Sequence, residues 1–385
     1  MSFATFFCMS TMQDHTTRIH SIDIFRGITI ALMIIVNNQG DWSNVYRVFR
    51  HAAWHGWSGA DVVFPFFLFI MGVSISYSFT SRMRLDGEKS FLTGKILRRT
   101  CILIALGLLL NFIPEFDITT VRIPGVLQRI GLCYCLGALS FLFLTGRGRW
   151  IAAIGILMLY GVMLKYITPG GIGEGTLGPD GNLCHIVDRT LFAGHTYEHA
   201  PVRGFDPEGL LSTVPAVAST IGGIIAGDTM HGSGHVRGKC VLLGAAAVLC
   251  VGTGLLLDRW IPINKNLWTP AYAVFMTGAA AGLMALLLWL VDVKGAVKWG
   301  MPFRVLGLNA IAVYVLSSAA GRLMVHLKVL QDGGGEVTVK ALLYKGLFAG
   351  WLDPLYASTA YSVAFLAFWT AVMYFLYRKH IIIKI

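Results

Sequence analysis

The sequence predicts an all-α polytopic membrane protein, with about ten transmembrane helices in one bundle. Of its residues, 55% are hydrophobic and only 13% are charged, and its mean hydropathy is +0.66, so polar side chains are too few to solvate a protein of this size. Several apolar runs are long enough to cross about 30 Å of hydrocarbon, which takes roughly 20 residues as helix. Each run must be helical, because backbone groups that face lipid need internal partners and no run alternates like a barrel strand.

The predicted spans follow one another along the chain. They are 24–40, 61–80, 96–113, 126–145, 150–167, 209–227, 239–257, 268–291, 304–320 and 356–377. We find no internal repeat or linker, which predicts an N-terminal segment, 1–22, and one membrane domain, 23–385, with a single large external loop at 168–208. Around 339–351 we expect an interfacial or re-entrant helix, because the apolar part after Lys340 is too short to span.

The formal charge of +11 is distributed in the manner of a membrane protein and does not indicate a nucleic-acid partner. Lys and Arg concentrate in alternate connections, which places both termini in the cytoplasm and is satisfied by an even number of spans. The seven cysteines lack metal-ligand spacing, so we predict no metal and no disulfide framework. The first dozen residues do not resemble a signal peptide.

Polar chemistry concentrates just before the second predicted span. His51 and His55 lie four residues apart, but no glutamate completes a zinc motif, and rings at this position are also typical of an interfacial aromatic belt. We assign His51 to proton transfer, because imidazole titrates near neutrality. Asp61 fits a capping box with Ser58, and the same carboxylate could also orient a histidine.

Other polar positions lie within or at the ends of predicted spans. Arg129 falls inside the fourth span, where a guanidinium costs about 2.5–3.5 kcal/mol, so it should face a carboxylate, a phosphate or a water-filled cavity. Asn37 can hold a polar substrate group or simply bind interfacial water. Arg26 can pair with Asp23 at the helix end. Further candidates at the span edges are Arg122, Gln128, Asp206, Glu208, Asn264, Lys265, Trp268 and Asn309.

Several segments, taken together, resemble the heparan-alpha-glucosaminide N-acetyltransferase family and its bacterial members. These segments are DIFRG (23–27), VNN (36–38), HAAWHGW (51–57), ADVVFPFFLFIMG (60–72), RIPGVLQRIG (122–131), FDPEGLLST (205–213), NKNLWTP (264–270) and LYRKHIIIKI (376–385). The similarity runs from about residue 18 to the C-terminus, and the motifs keep their order.

The resemblance implies a transmembrane acyltransferase that moves an acetyl group from cytosolic acetyl-CoA to the amine of a glucosamine-type sugar on the external side. It places the catalytic histidine at His51 and motif residues at Asn37 and Arg26. With Asp61, His51 and Asn37 form the expected catalytic group. The expected donor contacts are Arg26, Arg122, Gln128, Arg129, Lys265 and Trp268, and the expected acceptor contacts are His55, Asp206, Glu208, Asn264, Asn309, His195 and His199.

Two mechanisms stay open, with His51 either removing the amine proton or carrying the acetyl group. The family's lumenal enzyme has an additional N-terminal region and span that we do not find, which favours a bacterial inner-membrane protein in contact with lipid. Its acceptor would be glucosamine, a glycosaminoglycan fragment or a cell-wall sugar, and a homodimer is compatible with the sequence. The competing class is an amino-sugar transporter. Inverted repeats would favour a transporter, and we find no such repeats.

Overall fold

The computed structural model describes residues 8–9, 19–86, 88–168, 171–330 and 335–384, and the remainder of the predicted N-terminal segment lies outside this part of the chain. The described residues are mainly helical. The helices are α1 His20–Asn37, α2 Val63–Asp86, α3 Lys89–Phe112, α4 Val126–Phe143, α5 Gly146–Tyr166, α6 Leu183–Phe192, α7 Leu210–His231, α8 Val236–Leu257, α9 Pro270–Leu287, α10 Met301–Leu308, α11 Ala310–His326, α12 Val339–Tyr344 and α13 Pro354–Arg378. The all-α class is thereby confirmed.

Short strands form three two-stranded antiparallel sheets. The pairs are β1 Cys8–Met9 with β6 Ile383–Lys384, β2 Ile167–Thr168 with β3 Gly171–Ile172, and β4 Lys328–Leu330 with β5 Glu336–Thr338. Short 3₁₀ or π turns extend several helices, including a 3₁₀ turn at Gly59–Val62 directly before α2 and a π segment at Leu288–Val293 after α9.

Eight described helical segments are long and apolar enough to cross a membrane. A ninth span results if the segments Lys298–Leu308 and Ala310–His326, which bend by 74° at Asn309, count as one. Each of the ten predicted spans overlaps a helix. The helix α3 has the length of a span, but Lys89, Lys95, Arg98 and Arg99 reduce its apolar character, and it is not among the eight.

The helices divide into an inner and an outer set. In α1, α2, α4 and α7, most residues of the apolar stretch are buried, whereas α5, α8 and α13 bury only 22% of theirs. The exposed side chains of α8 include Val241, Leu242, Val248 and Leu249. A helix that exposes apolar residues in this way is stable in lipid and not in water, so the chain is an integral membrane protein.

Glycines allow the inner helices to approach closely. A Cβ atom at Gly72 on α2 would lie 2.1 Å from the Thr220 carbonyl oxygen of α7, and one at Gly223 on α7 would lie 2.0 Å from the Phe69 oxygen of α2. Small residues at such crossings permit backbone contact between membrane helices. This pairing fixes α2 against α7 beneath the polar residues described next.

Candidate functional site

The structure brings His51 and Asp61 into direct contact. Nδ1 of His51 lies 2.7 Å from Oδ1 of Asp61, and the carboxylate is almost fully buried while the imidazole side chain is 48% exposed. A carboxylate only accepts hydrogen bonds, so the proton in this contact is assigned to Nδ1 of His51. When the ring carries only that proton, Nε2 is its proton acceptor, and the Lys265 Nζ atom lies 3.4 Å from Nε2.

The local sequence explains why Asp61 can both cap a helical turn and contact His51. Oδ2 accepts hydrogen bonds from the backbone N–H groups of Ala52 and Ser58, each at 3.0 Å, and from the Ser58 hydroxyl at 3.1 Å. The predicted capping box is confirmed. One oxygen caps the helical turn and ties down the backbone beside His51, which leaves the other oxygen for the ring.

A second segment delivers Lys265 to the same pair. Gly56 donates its N–H to the Ile263 carbonyl at 2.7 Å, with a positive φ of 89° that glycine tolerates. Beyond this bridge, a turn closes with Trp268 in the left-handed region at φ 50°. The Lys265 Nζ atom then lies 3.0 Å from Nδ1 of His51 and 3.5 Å from Oδ1 of Asp61.

His55 and Asn264 lie beside this arrangement. The Asn264 amide nitrogen lies 3.3 Å from Nδ1 of His55, and Asn264 is fully buried. Burial lowers the pKa of His55, against the opposing charge of Asp258, so its ring favours the neutral form. Neither residue lines the cavity described next, and their contacts hold the two loops together.

The exposed face of His51 borders a cavity of about 990 Å³. Helices α1, α3, α4 and α11 contribute to its walls, as does the loop after α6. The predicted site residues on its lining are Asn37, His51, Arg122, Gln128, His199, Glu208 and Lys265.

Arg122 is held by two carboxylates. Nε and Nη2 bind the two oxygens of Asp206 at 2.8 and 2.5 Å, and Nη2 also contacts Glu208. Burial opposes the charge on both Arg122 and Glu208, yet their mutual attraction raises the pKa of Arg122 and lowers that of Glu208. The Arg122 guanidinium also lies 4.5 Å from the centre of the Tyr197 ring. A donor phosphate would have to displace these partners.

The predicted external loop is docked against the bundle through this cluster. Asp206 accepts the Tyr197 N–H at 2.9 Å, and the N–H of Asp206 donates to the buried Asp188 at 3.2 Å. Burial raises the pKa of Asp188 to about 7. His195 is outside the cavity lining and pairs with the chain before α4, since its carbonyl accepts the Ile123 N–H at 2.9 Å.

Arg129 is buried, as its position in a span requires, but outside the cavity lining. Its Nε donates to the Thr213 hydroxyl at 3.1 Å, and Nη2 donates to Gly209 O at 3.3 Å and to Ser212. The guanidinium also lies 5.2 Å from the centre of the buried Trp268 ring. Arg129 and Trp268 thus join α4 to the start of α7 and to the turn that carries Lys265.

Two predicted site residues lie at the opposite end of the bundle. Arg26 is about 16 Å along the axis of α1 from Asn37, and it donates to Ser74 at 2.8 Å and to Gly307 O at 3.2 Å. Asn309 separates α10 from α11 and accepts the Ile383 N–H at 2.8 Å. Neither residue reaches the His51 cavity.

The cavity also contains residues that were not predicted. Arg322 on α11 and Lys340 on α12 line it together with Asn111 and Arg50. The Arg322 guanidinium donates to the carbonyl of Leu110 at 2.6 Å. A charged residue at the end of an apolar helix was the available signal for Arg322.

The parts of the chain that the structure describes contain no group of His, Cys, Asp and Glu residues that could hold a metal ion. The cysteines that are free are Cys101, Cys133, Cys135, Cys184, Cys240 and Cys250.

The fold and this cavity define an integral membrane protein with a carboxylate–histidine pair beside a cavity whose lining includes Lys, Arg and Glu side chains. Residues 18–173 match the family model described as "Heparan-alpha-glucosaminide N-acetyltransferase, catalytic". The chain is 31% identical to the Homo sapiens heparan-alpha-glucosaminide N-acetyltransferase over 423 residues, covering 96% of this chain and 60% of that protein. It is 33% identical to the Mus musculus enzyme of the same name over 360 residues, covering 79% and 54%. The predicted family resemblance is confirmed: the chain is a relative of these proteins and spans little more than half their length.

Proposed function

We propose that this chain is an N-acetyltransferase that moves an acetyl group from acetyl-CoA to the amine of a glucosamine-type sugar in the His51 cavity. The observation that carries the proposal is the His51–Asp61 hydrogen bond of 2.7 Å at the wall of a cavity of about 990 Å³. The names of the relatives support the same reaction.

The cavity suits both reactants. Its lining contains five Lys or Arg residues and one carboxylate, Glu208, and cationic side chains favour an anionic group on the donor or the acceptor. Acetyl-CoA, when bound, supplies a thioester carbonyl that an amine can attack. Glu208 and His199 offer a charged and a polar contact for the hydroxyl and amino groups of a sugar.

His51 provides the acid–base chemistry. Nε2 accepts the proton that the acceptor nitrogen releases as the amide bond forms, and returns it to the sulfur of the leaving thiolate. Asp61 stabilises the imidazolium formed between these two transfers. The same nitrogen can instead carry the acetyl group before the sugar binds, which would give ping-pong kinetics.

We further propose that the acceptor enters from the external face of a bacterial inner membrane, at the end of the bundle that carries His51. The donor would then approach from the cytoplasmic end, where Arg26 lies. The long apolar helices and the concentration of positive charge in alternate connections support this orientation.

The test uses the purified protein in liposomes, with labelled acetyl-CoA on one side and glucosamine on the other. Label on the sugar amine is the expected result, and the side on which donor must be supplied reports the orientation. Unmodified sugar crossing without label would instead show an amino-sugar transporter.

The variant His51→Ala is expected to lose acetyl transfer while it retains CoA binding. His235→Gln is the matched control, since His235 is an exposed histidine before α8 and lies outside the cavity lining. Transfer at the wild-type rate in His51→Ala would remove His51 from the mechanism.

A further inference from the structure

The cavity lining includes three cations that form no ion pair with a described carboxylate. Arg122 is paired with Asp206 and Glu208, and Lys265 lies beside Asp61. The three other Lys or Arg residues on the lining are Arg50, Arg322 and Lys340. Within the described parts of the chain, none of these three has a carboxylate within 4.0 Å.

Lys340 lies on the cavity lining, where burial disfavours its charged form. Burial lowers the pKa of Lys340, with the charge of Asp41 opposing that shift. The Asp41 carboxylate is occupied by the Ser43 N–H at 2.9 Å and the Asn44 amide at 2.7 Å. The Lys340 ammonium instead lies 5.7 Å from the centre of the Trp42 ring, which is 56% exposed and also lines the cavity.

The hydrogen-bond partners of Arg322 and Arg50 are neutral, and the charges that act on Arg322 include the Arg122 cation and the Glu115 carboxylate. The Arg322 Nη1 atom donates to Leu110 O, and its Nη2 atom donates to the Asn111 side chain at 3.2 Å. Arg50 donates to Ser43 O at 2.8 Å. These contacts orient both guanidinium groups without neutralising them. Arg322 is part-buried and Arg50 is exposed, and a part-buried charge such as that of Arg322 favours binding of an anion.

We infer that Arg322, Lys340 and Arg50 form an oxyanion-binding subsite in the His51 cavity, which takes a carboxylate, sulfate or phosphate group of a ligand. The Trp42 ring beside Lys340 supplies an apolar face for the part of the ligand that carries the anion. This subsite rests on the proposed function only for the identity of the ligand, because anion binding itself does not require acetyl transfer.

The first experiment measures binding without turnover. The melting temperature of the purified full-length protein is recorded against sodium sulfate, with sodium chloride at equal ionic strength as the reference. Saturable stabilisation by sulfate is expected for the wild type and at least a tenfold weaker midpoint for Lys340→Gln and Arg322→Gln. The Lys340 side chain makes no hydrogen bond among those described, so Lys340→Gln should fold. This variant therefore tests sulfate binding even if Arg322→Gln unfolds. Lys345→Gln, an exposed change in the same helical segment, should behave as wild type.

Two results would overturn the inference. One is an equal sulfate midpoint in the wild type and in Lys340→Gln. The other is a melting temperature of the wild type that does not saturate with sulfate, which would indicate an adventitious ion only. The melting temperature does not depend on catalysis. A protein that binds sulfate but transfers no acetyl group would therefore contradict the proposed function and support the subsite.

The second experiment identifies which ligand carries the anion. Donor affinity is compared for coenzyme A and dephospho-coenzyme A, and acceptor KM is compared for a glucosaminyl-uronate disaccharide and its methyl ester. If the acceptor occupies the subsite, Lys340→Gln should abolish the preference for the free uronate. If the donor does, the variant should abolish the preference for the 3′-phosphate. A variant that keeps both preferences would contradict the assignment.

Discussion

Replacement of Asp61 by asparagine tests the proposed role of His51, because the structure predicts which way the new amide must point. Oδ2 of Asp61 accepts two backbone N–H groups and the Ser58 hydroxyl, whereas Oδ1 faces Nδ1 of His51. If the amide nitrogen replaced Oδ2, the N–H groups of Ala52 and Ser58 would lose their acceptor, at about 1–3 kcal/mol each. The amide oxygen should therefore occupy the Oδ2 position, and the NH₂ group should face His51.

This orientation changes the state of the ring. Nδ1 must then accept a hydrogen bond, so the proton moves to Nε2, the nitrogen that would otherwise act as the base. With the proton back on Nδ1, the N–H of His51 faces the NH₂ group of the introduced asparagine and has no acceptor, which costs about 1–3 kcal/mol. The imidazolium also loses its hydrogen bond to the Asp61 carboxylate, which adds about 1.5–3 kcal/mol. The sum, about 2.5–6 kcal/mol, corresponds to a loss of about 10²–10⁴-fold in kcat at 1.36 kcal/mol per tenfold.

The assay is the transfer of labelled acetyl to glucosamine at saturating substrates, measured together with thermal melting. Asp61→Asn should melt above Asp61→Ala because the cap is retained, although it loses the charge that faces Lys265. Asp61→Ala should lose activity and also melt earlier, because Ala52 and Ser58 lose their acceptor. A fully folded Asp61→Asn protein with kcat within fivefold of wild type would refute the reasoning.

Three further predictions follow from the contacts around the cavity. Arg129→Met removes the hydrogen bonds to Thr213, Ser212 and Gly209 O and should lower the free energy of unfolding by about 1.5–3 kcal/mol, the range for a hydrogen bond to a charged group. Denaturant unfolding in micelles measures this change, and an unchanged free energy of unfolding would contradict the joining role of Arg129. The pKa of Glu208 is held below its ordinary value, so its pairing with Arg122 stabilises the fold above about pH 4.3 and is lost as the pH falls through the lower folded-state pKa. The melting-temperature difference between wild type and Glu208→Gln should accordingly be constant from pH 5 to 7 and shrink in stronger acid, and a difference that vanishes at pH 5 would argue against the pairing. Gly223→Val should prevent α2 and α7 from approaching, and unaltered melting would show that the crossing tolerates a side chain.

The fold was predictable because lipid imposes one rule on every span. An apolar run of about 20 residues must be helical, and each predicted run coincides with a helix. The breaks were less predictable. The run 304–320 was predicted as one span, but Asn309 divides it into α10 and α11 with a bend of 74°. The Asn309 side chain there binds the C-terminal segment more than 70 residues later in the chain, which no local pattern reveals.

The site was predictable where its residues are close in sequence. His51, Ser58 and Asp61 belong to one short segment, so capping chemistry alone brings the carboxylate near the ring. Lys340 escaped prediction because it belongs to the stretch 339–351, which was expected to be interfacial or re-entrant. Arg322 escaped prediction because it follows the predicted span 304–320. Their place on the cavity lining depends on the packing of α11 against α1 and α12, which sequence spacing does not encode.

Arg122 shows how pairing over a long distance changes the assignment of a residue. In the sequence it is a cation beside a span, and a phosphate is a reasonable partner. In the structure, Asp206 and Glu208, more than 80 residues later, occupy its guanidinium. Separating a buried pair of this kind costs about 3–5 kcal/mol once one partner is removed. The loop that carries Tyr197, His199 and Glu208 is therefore anchored to the bundle at Arg122, so ligand discrimination at this wall depends on a fixed surface. Under the proposed function, the anions of the donor or acceptor would therefore bind elsewhere in the cavity, where Arg50, Arg322 and Lys340 form no ion pair with a described carboxylate.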